Sequence, residues 1–379
     1  MILYAPHYSK LFCACPVARE GLQRSPSRGI IGKTRGCDVL ASLPVVIHYE
    51  CADPSKHGYL LDCLRQTAKY NENTVLLGSA NWESLLPQGV SFVDAASLVS
   101  PRLQAFERVY VDLAPYYPNS LIFFRRLFLM EVYLRRQGLQ EMILLDSDIL
   151  VYQNLSAIPE FQSCEFACCI DKDQHFSSED TQGLRWFANC GISYWTLSAL
   201  DDFLDFLQDS YENHPDRLKV KYDYHVAHNI PGGVTEMSLL YLWVMDRPQM
   251  RFYNMSVPRN GFAFNNTLWS DVNYAPKEYV VSPFTRLKKF TLPKDGGLPI
   301  FYLQSGGTVR FYNIHFVGSA KNYMHDYALY GSLTFPTRCR QIWQECILHG
   351  LRVFAHGDSP LSKGVHALGK GAKKLLKMQ

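Results

Sequence analysis

Short apolar runs alternate with stretches of helical spacing through the first half of the chain. "LPVVIHYE" carries an apolar run at 45–48, which reads as a buried strand. In "YLLDCLRQTAKY", Leu60, Leu61, Leu64 and Ala68 recur at helical spacing. Asn73–Gly78 and Val90–Ala95 supply a second and a third strand, although the link between them has a weaker pattern. A long helix is predicted over 118–138, with Pro118, Asn119 and Ser120 suited to its start and Gly138 to its stop. It is apolar nearly all round, so it is expected to be buried, yet Arg125 and Arg126 stand in its middle. "EMILLDSDILVY" (141–152) reads as the next strand and "FACCID" (166–171) as another. Gly191–Trp195 gives a strand that feeds a helix with a Ser198/Asp201 capping pattern and a stripe of Leu200, Phe203, Leu204 and Leu207. "VTEMSLLYLWVMD" is a further helix capped by Thr235. From about 250 to 303 the chain turns to Pro, Asn and Tyr and reads as looped and partly β. "GTVRFYNIHFVG" gives a strand ending near His315, and two helical segments close the chain, with no internal repeat.

The alternation predicts an α/β fold with a mixed central sheet flanked by helices. The expected organisation is an irregular arm at 1–42, one large domain at 43–335, and a helical segment with a basic tail at 336–379.

Composition narrows the class. The chain has 379 residues and is 47% hydrophobic, enough for a large core. Net charge is +3, from 38 Lys+Arg against 35 Asp+Glu, too balanced for a general nucleic-acid binder. The eleven cysteines have no paired zinc spacing and read as reduced thiols, which points to a cytoplasmic protein. The N-terminus lacks the pattern of a signal peptide, and no run is long and apolar enough for a transmembrane helix. The tail carries five lysines from Lys363, with Val365, Leu368, Ala372 and Leu375 at helical spacing. It is either a frayed solvated end or a basic helix making peripheral contact at the inner membrane face.

Chemistry concentrates at two places. Asp146 and Asp148 follow a buried apolar strand two residues apart, a spacing that puts both on one side of an extended chain. Bare carboxylates there repel each other, and a hard divalent cation with oxygen ligands resolves both the repulsion and the burial. The plainer alternative is a solvated loop or an N-cap pair. Farther along, His315 ends an apolar run, with Gly318 and Lys321 close behind. A strand-ending His can ligate a metal, and the lysine can meet an anion held there.

Together these segments resemble a known family. LDSDILVY at 145–152 is similar to the DxD strand of GT-A glycosyltransferases, and HFVGSAK at 315–321 to the HFxGxxK signature of glycosyltransferase family 8, which includes glycogenin and lipopolysaccharide galactosyltransferases. "FANCGISYW" resembles the family's FNxGVxxxN strand, and the likeness spans about residues 44–325. It implies a GT-A (Rossmann-like) hexosyltransferase that uses Mn²⁺ or Mg²⁺ and a nucleotide-sugar donor, a UDP-sugar, with retention. The acceptor would be a glycan, a lipid-linked molecule or a protein. It implies metal ligation by Asp146, Asp148 and His315, with Asp146 also near the ribose. Lys321 and the Gly318 backbone would contact the diphosphate. Arg126, with Arg125 as the register alternative, would meet the donor. Asn189 and Gly191 would face the donor sugar. A structural ion pair with Glu131 or another buried acid is the other reading of the arginine.

The departures concern the acceptor side. Where the family has an Asp-Gln pair this chain has Thr235-Glu236, and Asn322-Tyr323 stands in place of Pro-Trp. Glu236 either acts on the sugar or acceptor, or is a first-turn carboxylate suited to the helix dipole. Tyr49, Glu50, Cys51 and Asp53 are candidates for the base pocket, with Tyr49 either stacking on the base or filling a turn. Asp171, Asp173 and His175 either add to the site or form a solvated loop. A catalytically silent sugar-binding scaffold on the same fold, or a sugar nucleotidyltransferase, is the alternative reading.

Overall fold

Val45 and Ile47 of strand β1 (Val45–Tyr49) join one hydrophobic cluster, while Val46 joins another. This alternation runs through the sheet, because neighbouring strand residues face opposite sides. The structure is a computed structural model. It describes residues 42–51, 53–54, 57–114, 120–170, 184, 186–230, 232–269, 278–282, 287–293, 296–334 and 337. The expected N-terminal arm before residue 42, the basic tail, Pro118, Asn119, Asp171, Asp173 and His175 lie outside the described residues.

After β1 come α1 (Gly58–Tyr70), β2 (Thr74–Gly78), β3 (Val90–Asp94), α2 (Pro101–Val109), α3 (Leu121–Gln137), β4 (Glu141–Leu145) and β5 (Ile149–Val151). β6 (Phe166–Ile170), β7 (Ala188–Thr196), α4 (Leu197–Glu212), α5 (Pro215–Ala227), α6 (Glu236–Met245) and β8 (Phe252–Asn254) follow. The last third carries β9 (Phe262–Ala263), β10 (Phe290–Thr291), β11 (Ile300–Tyr302), β12 (Thr308–Phe311), β13 (Asn313–His315) and α7 (Lys321–Tyr330).

Seven strands form the central sheet in the order β3-β2-β1-β4-β7-β6-β8. β1, β2, β3 and β4 are parallel, and β7 runs antiparallel to both β4 and β6. The mixed α/β class expected from the sequence is therefore observed. α1 covers one face through Leu60, Cys63 and Leu64. α2, α3, α4 and α6 share the cluster on the other face. The strand order reverses between β1 and β4. In open α/β sheets such a switch leaves a crevice at the strands' carboxyl ends, where ligands bind.

The differences from the sequence reading have local causes. The segment 141–152 is two strands, not one: β4 stays in the sheet, while β5 leaves it and pairs with β13. Likewise 308–315 splits into β12 and β13, which join different sheets. α4 is capped by the Thr196 side chain, which accepts from the Ala199 N–H at 3.2 Å, rather than by Ser198. α2 and α5 are helices the spacing analysis lacked. α2 carries a legible start, with Ser100 accepting from the Leu103 N–H and Pro101 in the first turn. α5 buries Leu218, Lys221 and His225, a stripe too polar to register as an apolar face.

Candidate active site

β4 ends at Leu145, and Asp146, Ser147 and Asp148 form a turn before β5. The Ile149 N–H donates to the Asp146 carbonyl at 3.3 Å, closing that turn. The two carboxylates therefore converge through a turn, not through strand alternation as expected. Register brings the other parts in. β7 runs back along β4, so the Asp146 N–H donates to the Gly191 carbonyl at 2.6 Å. β13 pairs with β5, opposing His315 to Ile149.

As a result, one ligand atom each from Asp146, Asp148 and His315 lies within 4.8 Å of the other two. Two carboxylate oxygens and an imidazole nitrogen are a donor set that can hold a divalent metal ion. Asp148 is 6% exposed and has two cationic neighbours, His315 Nε2 at 3.2 Å and Lys321 Nζ at 3.1 Å. Burial works against its charge, but the imidazole and the ammonium prevail and lower its carboxyl to about 2. For His315 burial works downward, and Asp148 and Asp146 outweigh it to raise the ring above its ordinary value. Lys321 is raised by the same carboxylates against its own burial. The ring's orientation is fixed from behind, since the Asn266 backbone hydrogen-bonds it and the His315 N–H donates to Asn265 Oδ1 at 3.1 Å.

Arg126 is the buried arginine of α3, and Arg125 is the more exposed one, lying 3.5 Å from Glu50. The Arg126 guanidinium donates to Asp146 Oδ1 at 2.5 Å, to Cys190 Sγ at 2.9 Å and to Glu236 Oε1 at 3.3 Å. Its acidic partners are thus site carboxylates, whereas Glu131 pairs with Arg135. Glu236 is 3% exposed at the first turn of α6, and its second oxygen has no side-chain partner. Burial raises its carboxyl, with Arg126 opposing.

Gly191 is where the backbone must pass closest. A Cβ there would lie 2.8 Å from Asp146 Oδ2 and 3.0 Å from both Asn189 Oδ1 and His315 Cε1. Asn189 accepts from the Gly191 N–H at 2.7 Å and donates to Asn266 Oδ1. Gly318 has φ +62°, a left-handed conformation that glycine tolerates, and it turns the chain into α7 so that Lys321 reaches back to Asp148. Gly318 and Lys321 line a cavity of about 550 Å³ with Tyr59, Asp62, Arg65 and His325.

Tyr49 does not line that cavity. Its hydroxyl pairs with His57 Nδ1 at 2.5 Å and with the Tyr59 hydroxyl at 2.6 Å, and its ring packs edge-on against Trp82. Glu50 is tied to His48 at 2.9 Å, and the Cys51 thiol lies 3.6 Å from the Asp53 carbonyl. Tyr59, Cys190, Asn265 and Asn266 were missed by the sequence reading. The only signal for the asparagines was a polar pair, now buried at 1% exposure each, between apolar stretches.

Sheet and site together define an open mixed α/β protein with a carboxylate–imidazole cluster at its topological switch. Solved structures similar to it are glycosyltransferases. Mouse xyloside xylosyltransferase 1 in its apo form is 15% identical over 56% of this chain and 84% of that one, with TM-score 0.35. An active-site mutant of LgtC is 14% identical over 51% of this chain and 72% of that one, with TM-score 0.32. A glycosyltransferase involved in glycosylation of the major capsid of PBCV-1 is 10% identical over 75% of this chain and 100% of that one, with TM-score 0.34. No protein-family model and no curated protein matches the chain.

Proposed function

We propose that the chain is a metal-dependent glycosyltransferase that moves a hexose from a UDP-sugar to a glycan, lipid-linked or protein acceptor, with retention. The observation that carries this reading is the cluster of Asp146, Asp148 and His315 within 4.8 Å, flanked by Lys321 on one side and Arg126 on the other. Breaking the sugar–phosphate bond leaves negative charge on the departing diphosphate. Asp146, Asp148 and His315 would hold a divalent ion, which would supply positive charge where that develops. Lys321, 3.1 Å from Asp148, adds a second cation beside the three residues; the cavity it borders is lined by Tyr59, Asp62, Arg65 and His325 rather than by those three. Arg126 holds Asp146 and Glu236 in one array, and Gly191 lets the β7 backbone pass close to Asp146 and His315. Glu236 and Asn189 are the groups assigned to orient the sugar. The compartment we assign is the cytoplasm, with the basic tail either solvated or in peripheral contact with the inner membrane face. No helix among the described residues is long and apolar enough to cross a membrane.

The test incubates the protein with a panel of nucleotide sugars and Mn²⁺ and measures free nucleoside diphosphate. Release is expected with one or a few donors. Asp148→Ala and His315→Ala should lower it by about a hundredfold or more, since losing even an outer-shell partner of a metal ligand costs about tenfold to a hundredfold. Release undiminished in both variants rejects the assignment.

A further inference from the structure

Lys221 of α5 is 4% exposed, an uncommon state for a lysine. Its amine donates to Ser238 Oγ at 2.7 Å and to the Trp186 carbonyl at 3.4 Å, and it lies 5.9 Å from the centre of the Trp186 ring. Each partner belongs to a segment that leads into the candidate site. Ser238 sits in the first turn of α6, where its hydroxyl also accepts from the Thr235 N–H and donates to the Gly233 carbonyl. Glu236, in the same turn, reaches Arg126. Trp186 has φ +31°, a conformation rare for a bulky side chain, and it leads directly into β7, where Asn189 and Gly191 border Asp146 and His315.

The charged form of this amine adds little to stability. The amine approaches the positive end of α6, where a cation is disfavoured. Burial pushes it down to about 7. An unbranched apolar side chain of similar length would fill the space without carrying a charge into it. What the lysine supplies instead is a hydrogen-bonded link between two backbone segments that share no regular pairing of their own.

We propose that Lys221 is a positioning residue for the transfer reaction: through Ser238 and the Trp186 carbonyl it fixes the first turn of α6 against the start of β7, and so sets Glu236 and Asn189 at the donor sugar. The proposal rests on the glycosyltransferase reading of the site. Lys221 itself touches none of the groups assigned to metal or donor.

Full-length Lys221→Met and Ser238→Ala break the link from either side, and Lys221→Arg retains a donor. The Met variant should still melt in one cooperative transition and bind UDP with Mn²⁺ within about twofold, while its turnover falls by about tenfold, as expected for a misplaced rather than a missing group. Ser238→Ala should lose turnover in parallel, and the Arg variant should recover part of it. Backbone amides of 186–191 and 236–240 should exchange faster in the Met variant, with those of β1 and β2 unchanged. Turnover within twofold of the wild type overturns the proposal, as does a fall in turnover matched by a fall in melting temperature and by faster exchange across the whole sheet. If the wild type releases nucleoside diphosphate from no nucleotide sugar, the glycosyltransferase reading fails. The amide exchange then judges the link alone, and unchanged exchange at both segments overturns it.

Discussion

Gly191 shows how tightly single residues determine the candidate site. With a Cβ position 2.8 Å from Asp146 Oδ2 and 3.0 Å from His315 Cε1, any side chain displaces one of two proposed metal ligands. Gly191→Ala should cost about 1–3 kcal/mol of stability through overpacking. It should also weaken Mn²⁺ binding by about tenfold or more, read by calorimetric titration. Lys221 gives a prediction in pH. Its folded value of about 7 lies below the 10.5 of a free lysine, so between those values the unfolded chain holds the extra proton. Stability therefore rises as pH climbs through that window and is lost as pH falls back toward 7. Lys221→Met removes the dependence. The melting temperature of Met variant minus wild type should be largest near pH 6 and shrink toward about pH 10. A constant difference would mean that the amine is not desolvated.

At the scale of elements, the site depends on two short strands outside the main sheet. β5 and β13 contribute three residues each and deliver Asp148 and His315 to one point. Such a pair is weak by itself. It is reinforced by Asn313, which is fully buried. Asn313 accepts from the Asn265 N–H at 2.8 Å and donates back to the Asn265 carbonyl at 2.9 Å, while Asn265 Oδ1 in turn holds the His315 N–H. Asn313→Ala leaves a backbone donor and acceptor buried without partners. The expected loss is about 2–4 kcal/mol, seen as an earlier transition in urea unfolding. An unchanged midpoint would show that the Asn313 side chain adds nothing to the hold on β13. α5 makes the converse point: its buried stripe contains a lysine and a histidine, so an element that carries part of the proposed positioning left no apolar pattern along the chain.

At the scale of the molecule, how much was legible depended on how local the cause was. The strands β1, β2, β3, β4 and β6 and the helices α1, α3, α4 and α6 were readable, because each is apolar at the spacing its geometry demands. Asp146, Asp148 and His315 were legible as candidates, since carboxylates and an imidazole at the ends of apolar runs are out of keeping with their surroundings, and the structure brings them together. Which arginine of α3 turns inward was not readable. That depends on helix rotation against the sheet, and the structure turns Arg126 toward Asp146 and leaves Arg125 beside Glu50. Nor could the sequence show that 141–152 breaks into two strands, because both halves are equally apolar and their partners, β7 and β13, lie far along the chain. By itself, then, the sequence determined the class of fold and the residue types of the site, both of which follow from local spacing and burial. Only the tertiary structure decided which atoms meet. The convergence of Asp148 with His315, the Arg126 bridge to Glu236 and the Lys221 link all arise where strand register and helix packing join segments that share no local pattern.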